Sequence, residues 1–340
     1  MSPPQPVREF MLDNGAGMSL TAINRGGIVT SLRVPDRHGR SANVVLGLAT
    51  PGDYTRPHPH LGTIVGRYAN RIARGRFALA GQDVQLTLND GANTLHGGPQ
   101  GFGTRWWEIT PLPAAADGSV ALELRLASED GDQGFPGRLA VRVQYTLTPR
   151  NEWRVDYEAR CDRATVVNLS HHDYFNLAGG GSILGHLLTI AASRYCTVDA
   201  GLIPLELAGV DGTPFDFRRP RPIGERICEP HPQLLRARGY DHNWVLDEAA
   251  GLHFAARLED PQTGRAMEIL TTEPGLQFYS GNFLDGTLAG ANGQAIRQGD
   301  GLCLETQHFP DSPNRPDFPS TVLHPGQLYA STTVHRFTCA

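Results

Sequence analysis

The sequence predicts an all-β protein, a large antiparallel β-sandwich with very few short helices, and three observations predict it. Glycine (39) and proline (25) together make 64 of the 340 residues, against an average nearer 12%, so turns are frequent and long helices few. Successive segments alternate apolar and polar residues with a period of two, the mark of half-buried strands. Only one stretch, Pro232 to Arg238, reads as a helix, and it is short.

Three strands follow one another in the middle of the chain. In the first, Val120, Leu122, Leu124 and Leu126 share a face against Ala121, Glu123 and Arg125. In the second, Leu139, Val141, Val143, Tyr145 and Leu147 alternate with Ala140, Arg142, Gln144 and Thr146. In the third, Trp153, Val155, Tyr157 and Ala159 alternate with Arg154, Asp156, Glu158 and Arg160. Turns such as Pro149 to Asn151 join them. One wet face and one dry face is the pattern of an antiparallel sheet, whereas parallel α/β strands read as continuous apolar runs between helices. At ~150 residues per domain the length allows two domains, yet β-sandwiches routinely exceed that figure. No low-complexity linker or internal repeat divides the chain, so residues 1–340 read as one domain, with about the first eight expected to be flexible.

Composition removes several function classes. The formal charge is −5, and no dense basic run is present of the kind that phosphate backbones or anionic lipids require; neither nucleic acid nor membrane is an expected partner. There is no lysine: all 30 basic side chains are arginine, which stays protonated and forms no imine. Schiff-base chemistry, pyridoxal phosphate and Walker-type phosphate loops are excluded with it. The cysteines, Cys161, Cys196, Cys228, Cys303 and Cys339, are scattered and odd in number, which fits reduced thiols rather than a zinc knuckle or a disulfide framework. Met1 to Met11 holds no apolar signal core, and nothing approaches the ~20 apolar residues of a membrane span. A soluble, cytoplasmic protein is expected.

Five segments concentrate polar and aromatic side chains. In Gly66-Arg67-Tyr68-Ala69-Asn70-Arg71-Ile72 the arginines equally suit a solvated strand edge. Asn93-Thr94-Leu95-His96-Gly97-Gly98 sets a histidine before a glycine pair, which by itself reads as a chain reversal. In Asn168 to Leu177 the neighbours His171 and His172 must point to opposite faces of a strand, so only one faces a given cleft. Gly239-Tyr240-Asp241-His242-Asn243-Trp244 combines hydrogen-bonding side chains with aromatic rings, as the apolar face and hydroxyl rim of a sugar require. In Leu302 to Asp311, Glu305 stands inside an apolar strand, where a carboxylate is seldom found without a partner or a role. Neither the histidine pair nor His58-Pro59-His60 carries a metal signature, and no G-x-S-x-G or dinucleotide G-x-G-x-x-G occurs. Acid/base chemistry by a carboxylate and a histidine, without metal or cofactor, is what these residues leave.

In this order, G-R-Y-A-N-R-I, N-T-L-H-G-G, N-L-S-H-H-D-Y-F-N-L, G-Y-D-H-N-W and L-E-T-Q-H-F-P-D resemble the aldose 1-epimerase (galactose mutarotase) family. Lesser matches such as Gly212-Thr213-Pro214-Phe215-Asp216 and Gln277-Phe278-Tyr279-Ser280-Gly281 extend the resemblance from about Leu12 to the C-terminus. It implies a large antiparallel β-sandwich, Glu305 as general base and His172 as general acid, with His96 assisting near the anomeric carbon. Arg71, Asn70, Asp241 and Gln277 would meet sugar hydroxyls, and the substrate would be a free monosaccharide. Two departures stand out: His171-His172 where the family usually has Asn-His, and Gly103-Thr104 where Asp-Lys is frequent. For both roles to operate near neutrality, His172 is expected to be held above its reference pKa by a nearby carboxylate. The rival readings are a non-catalytic sugar-binding module on the same fold, a glycosidase using Asp241 and Glu305, and a hexose-6-phosphate 1-epimerase with Arg218, Arg219 and Arg221 as a phosphate cradle. The preferred aldose and the oligomeric state are not legible in the sequence.

Overall fold

Alternation in the sequence becomes alternation in burial. Along Leu139–Leu147 every odd-numbered residue is buried and the intervening ones are exposed or half-exposed, and Glu152–Cys161 follows the same rule from Trp153 to Ala159. A computed structural model describes residues 6–247 and 251–339. Of the segment expected to be flexible, residues 1–5 lie outside the described residues. Arg8 is tied to Asn24, its amide donating to Asn24 Oδ1 at 2.8 Å.

These strands belong to a nine-stranded antiparallel sheet, ordered Glu108–Pro111, Val120–Ser128, Leu139–Leu147, Glu152–Cys161, Tyr329–Cys339, Arg265–Thr271, His253–Glu259, Leu187–Ile190 and Arg221–Pro222. A second antiparallel sheet has five strands, ordered Pro204–Gly209, Arg194–Val198, Asp241–Val245, Gly275–Tyr279 and Cys303–Gln307. The inward residues of both sheets, among them Leu124, Val143, Trp153, Trp244, Leu276 and Phe278, form one contiguous apolar cluster. That shared core makes the two sheets a sandwich.

The one α-helix among the described residues is Pro232–Ala237, where the sequence places it. Pro232 opens it and Arg238 closes it in the left-handed conformation, φ 58°. No helix among the described residues is long and apolar enough to cross a membrane.

Between the N-terminal sheet (Glu9–Asp13 to Ser41–Asn43) and Glu108–Pro111 the chain forms only short strands and turns. This connecting region supplies part of the site. Arg71–Ile72 pairs with Thr94–Leu95, and Ile64–Val65 pairs with Ser170–His171. The first pairing sets Asn70-Arg71 beside His96; the second brings His172 to the same place, its amide donating to the Thr63 carbonyl at 2.9 Å.

Candidate functional site

The floor of the site is three neighbouring strands of the five-stranded sheet. On Cys303–Gln307, period two turns Cys303, Glu305 and Gln307 to the site and Leu304 to the core. Gln277 stands opposite both Glu305 and Asn243 in the register, and Asp241 stands opposite Tyr279. Gln277 Nε2 donates to Asp241 Oδ1 at 2.7 Å, while Gln277 Oε1 and Glu305 Oε2 are buried with no partner among the described residues. Two acceptor atoms are thus left open, and buried acceptors cost free energy until a donor meets them.

The connecting region forms the opposite wall. His172 Nε2 faces Glu305 Oε1 at 3.8 Å. The rings of His96 and His172 are edge to face, centroids 5.2 Å apart. His96 Nδ1 accepts the Asn70 amide at 3.1 Å, which fixes the neutral ring with its proton on Nε2. Asn70 (φ 64°) and His96 (φ 49°) both lie in the left-handed region, a conformation uncommon outside glycine and concentrated at functional sites. The glycine pair after His96 has a steric reason: a Cβ on Gly97 would collide with the Gly66 carbonyl. Arg71 Nε donates to Asp90 Oδ2 at 2.7 Å. One donor atom each from His96, His172 and Glu305 lies within 4.8 Å of the others, so all three can act on one small group.

Burial governs the protonation of this cluster. It pushes Glu305 well above the ordinary carboxyl value of 4.5, with the Asp241 charge adding to the rise. It pushes His172 well below 6.5, His60 contributing, and His96 likewise. Asp241 is raised by burial, against the pull of Arg71. His172 is therefore not held above its reference value by a carboxylate, as expected, but driven below it. The ring's other nitrogen, Nδ1, meets only the Cys303 sulfur at 3.5 Å, and a thiol cannot stabilise an imidazolium as a carboxylate does.

All seven residues singled out from sequence, Glu305, His172, His96, Asn70, Arg71, Asp241 and Gln277, converge here. Other readings change. Tyr240 and Trp244 do not face the site: with His242 they lie on the opposite side of their strand from Asp241, fully buried, Tyr240 donating to the Pro214 carbonyl and Trp244 to that of Phe215. Arg67 is no solvated strand edge; its guanidinium is buried and donates to the carbonyls of Ser128, Pro136 and Gly137, among others. Arg218 is paired with Asp211 and Asp216, and Arg221 with Glu225, so of the three arginines only Arg219 is left without an ion pair among the described residues. Sequence reasoning set His60 aside, yet its ring lies 4.7 Å from that of His96 and 5.6 Å from that of His172, and burial lowers it to about 4. The signal was the H-P-H repeat, discounted for want of metal spacing. Tyr174, and Tyr279 on the floor strand, lie with ring centroids 5.1 and 6.3 Å from that of His172.

A carboxylate opposed to an imidazole, with amide, guanidinium and carboxyl groups close by on a β-sandwich, is the class of arrangement that can move protons on a ligand offering several hydroxyls. The aldose 1-epimerase family model matches residues 8–336, and the chain belongs to that family and, with it, to the isomerases. It is 43% identical over 337 residues to the galactose mutarotases of Sus scrofa and Homo sapiens, covering 98% of this chain and 95% of each relative. To the aldose 1-epimerase of Escherichia coli it is 40% identical over 338 residues, covering 98% and 96%. Among solved structures, an aldose epimerase homologue from C. elegans superposes with a TM-score of 0.90 at 27% identity, covering 98% of this chain and all of that one. Galactose 1-epimerase from Lactobacillus acidophilus gives 0.86 at 28%, with the same coverage.

Proposed function

We propose that this chain interconverts the α and β anomers of free aldoses, with Glu305 and His172 moving the protons. The observation that carries the reading is their opposition across 3.8 Å with one Glu305 oxygen open. Glu305 takes the proton from the C1 hydroxyl while His172 gives one to the ring oxygen; the C1–O5 bond breaks and C1=O1 forms. Rotation about C1–C2 presents the other face of the aldehyde, and reclosure returns both protons with the roles exchanged. Moving both protons together keeps either oxygen from carrying a full charge, and each positioned acid or base contributes ~10²–10⁴ in rate. His96, holding its proton on Nε2, donates to the C1 oxygen as charge gathers there. Arg71, Asn70, Asp241 and Gln277 hold the remaining hydroxyls, and the substrate is a free monosaccharide of the galactose or glucose type. No step calls on a metal or cofactor, and residues 1–340 act as one domain.

Polarimetry on freshly dissolved α-galactose tests the reading: equilibration is accelerated in proportion to enzyme. Retained sugar binding with unchanged kinetics would point instead to a binding module on the same fold. Release of nitrophenol from a nitrophenyl glycoside would point to a glycosidase using Asp241 and Glu305.

A further inference from the structure

At His60, whose ring neighbours those of His96 and His172, the site adjoins a cavity of about 700 Å³, lined by Arg25, Arg56, Arg105, His58, His60 and Thr63 among others, and by no carboxylate. Its volume exceeds that of a single sugar ring. Arg56 and Arg105 have partners outside the lining, Asp53 at 3.6 Å and Asp132 at 3.1 Å. Arg25 has none: among the described residues it forms no ion pair, and its Nε is buried without a hydrogen-bond partner. Its guanidinium carbon lies 5.1 Å from the Trp106 ring centroid, a cation–π contact that leaves the N–H donors available to an oxyanion. A half-buried guanidinium without a counter-ion is a cost, and burial pulls Arg25 below its ordinary value. Around it the lining offers further donors. His58 Nδ1 accepts the Leu61 amide at 3.1 Å, so its proton sits on Nε2. Gly103 and Thr104, also in the lining, add little bulk beside the arginines.

We propose that this cavity is a subsite for an acidic extension of the sugar, so that the enzyme accepts reducing aldoses whose non-anomeric hydroxyls carry an anionic residue. Such a substrate keeps C1 free for Glu305 and His172 and places a carboxylate against Arg25. The inference rests on the mutarotase reading and extends its substrate class. A charge-assisted bidentate contact is among the strongest polar interactions, and its loss lowers a specificity constant about tenfold or more.

Three substrates separate the possibilities: galactose, lactose as a neutral disaccharide, and digalacturonate as an acidic one, each followed by anomeric NMR at low ionic strength. Digalacturonate is expected to exceed lactose in kcat/KM. The ratio of digalacturonate to galactose falls about tenfold in Arg25→Gln, and falls in Arg56→Glu, a substitution at an exposed position that leaves folding intact if the Arg25 variant does not fold. Added phosphate competes with digalacturonate and not with galactose if the subsite takes any oxyanion; its failure to compete shows that the carboxylate must be carried on the sugar. Galactose turnover with digalacturonate no better than lactose, or with a ratio unmoved by both substitutions, overturns the subsite and leaves the mutarotase reading standing. No turnover of any aldose overturns the mutarotase reading itself.

Discussion

Glu305 sits on a strand whose five residues are all buried, and that burial holds its carboxyl well above 4.5. Glu305→Gln preserves shape and one acceptor but cannot take a proton, so mutarotation falls by ~10²-fold or more while sugar binding persists. Near-normal turnover by polarimetry in that variant would move the base elsewhere, with Asp241 next. The two adjacent histidines separate by face. His172→Asn removes most activity. His171 points the other way, where its Nε2 lies 2.7 Å from the Tyr145 hydroxyl and its Nδ1 2.6 Å from Asp173 Oδ2, all buried. Tyr145 gives its proton to the Gly27 carbonyl, so His171 Nε2 donates to Tyr145 while its Nδ1 stands against the Asp173 carboxyl. His171→Asn leaves activity little changed but strands a buried carboxylate, which costs about 1–3 kcal/mol; the expected result is near-normal kcat with an earlier urea midpoint. An intact midpoint with lost activity would reverse the two assignments.

At the scale of elements, what was legible in the sequence is what a single strand's period reveals. The three central strands, the lone helix and the separation of His171 from His172 all follow from local patterning. Segment 239–244 shows the limit. Its aromatic rings and its polar groups lie on opposite faces of one strand, and which face is the core depends on a partner sheet far away in sequence. Arg67 and His60 were misread for the same reason, since their surroundings come from residues 58–172 folding back. Glu273 and His308 were not singled out at all. They close the corner where Gly275–Tyr279 and Cys303–Gln307 reach the C-terminal strand: His308 Nδ1 and Glu273 Oε2 are 2.6 Å apart, and Tyr329 donates to the same carboxylate at 3.3 Å. Burial alone would lower His308, but the Glu273 charge and hydrogen bond carry it above 6.5. Burial alone would raise Glu273, but His308 brings it below 4.5. A raised histidine stabilises fully below its unfolded value and loses that contribution as pH rises through the folded one; a lowered carboxyl stabilises above its unfolded value and loses it as pH falls. The pair therefore contributes most between 4.5 and 6.5. The Tm difference between wild type and His308→Gln, measured by calorimetry against pH, is greatest in that window and shrinks on its alkaline side; a difference that grows toward alkaline pH contradicts the pairing.

At the scale of the whole molecule, the connecting region is laid over the five-stranded sheet and buries a titrating pair under it. Glu305 and His172 together can hold two, one or no protons, carrying net charges of +1, 0 and −1. A dry site penalises both charged states, and Asp241 penalises the negative one further. The same burial that drives the histidine down and the carboxyl up thus widens the range over which the pair keeps a single proton. In the proposed mechanism that one-proton state is the reactive one, since a base and an acid must be present together, and the two microstates with the proton on either residue share its macroscopic limits. The histidine need not be raised for the pair to hold a single proton, because the rise of the Glu305 carboxyl extends that state on the alkaline side. The profile of kcat/KM against pH should be a broad plateau through neutrality, its acid limb well below 6.5 and its alkaline limb well above 4.5. Glu305→Asp, with a shorter reach and more room for water, narrows the plateau as it lowers the rate. A sharp optimum confined between 4.5 and 6.5, with activity already failing at neutrality, would show that the pair titrates as two solvated groups and that burial does not set its protonation.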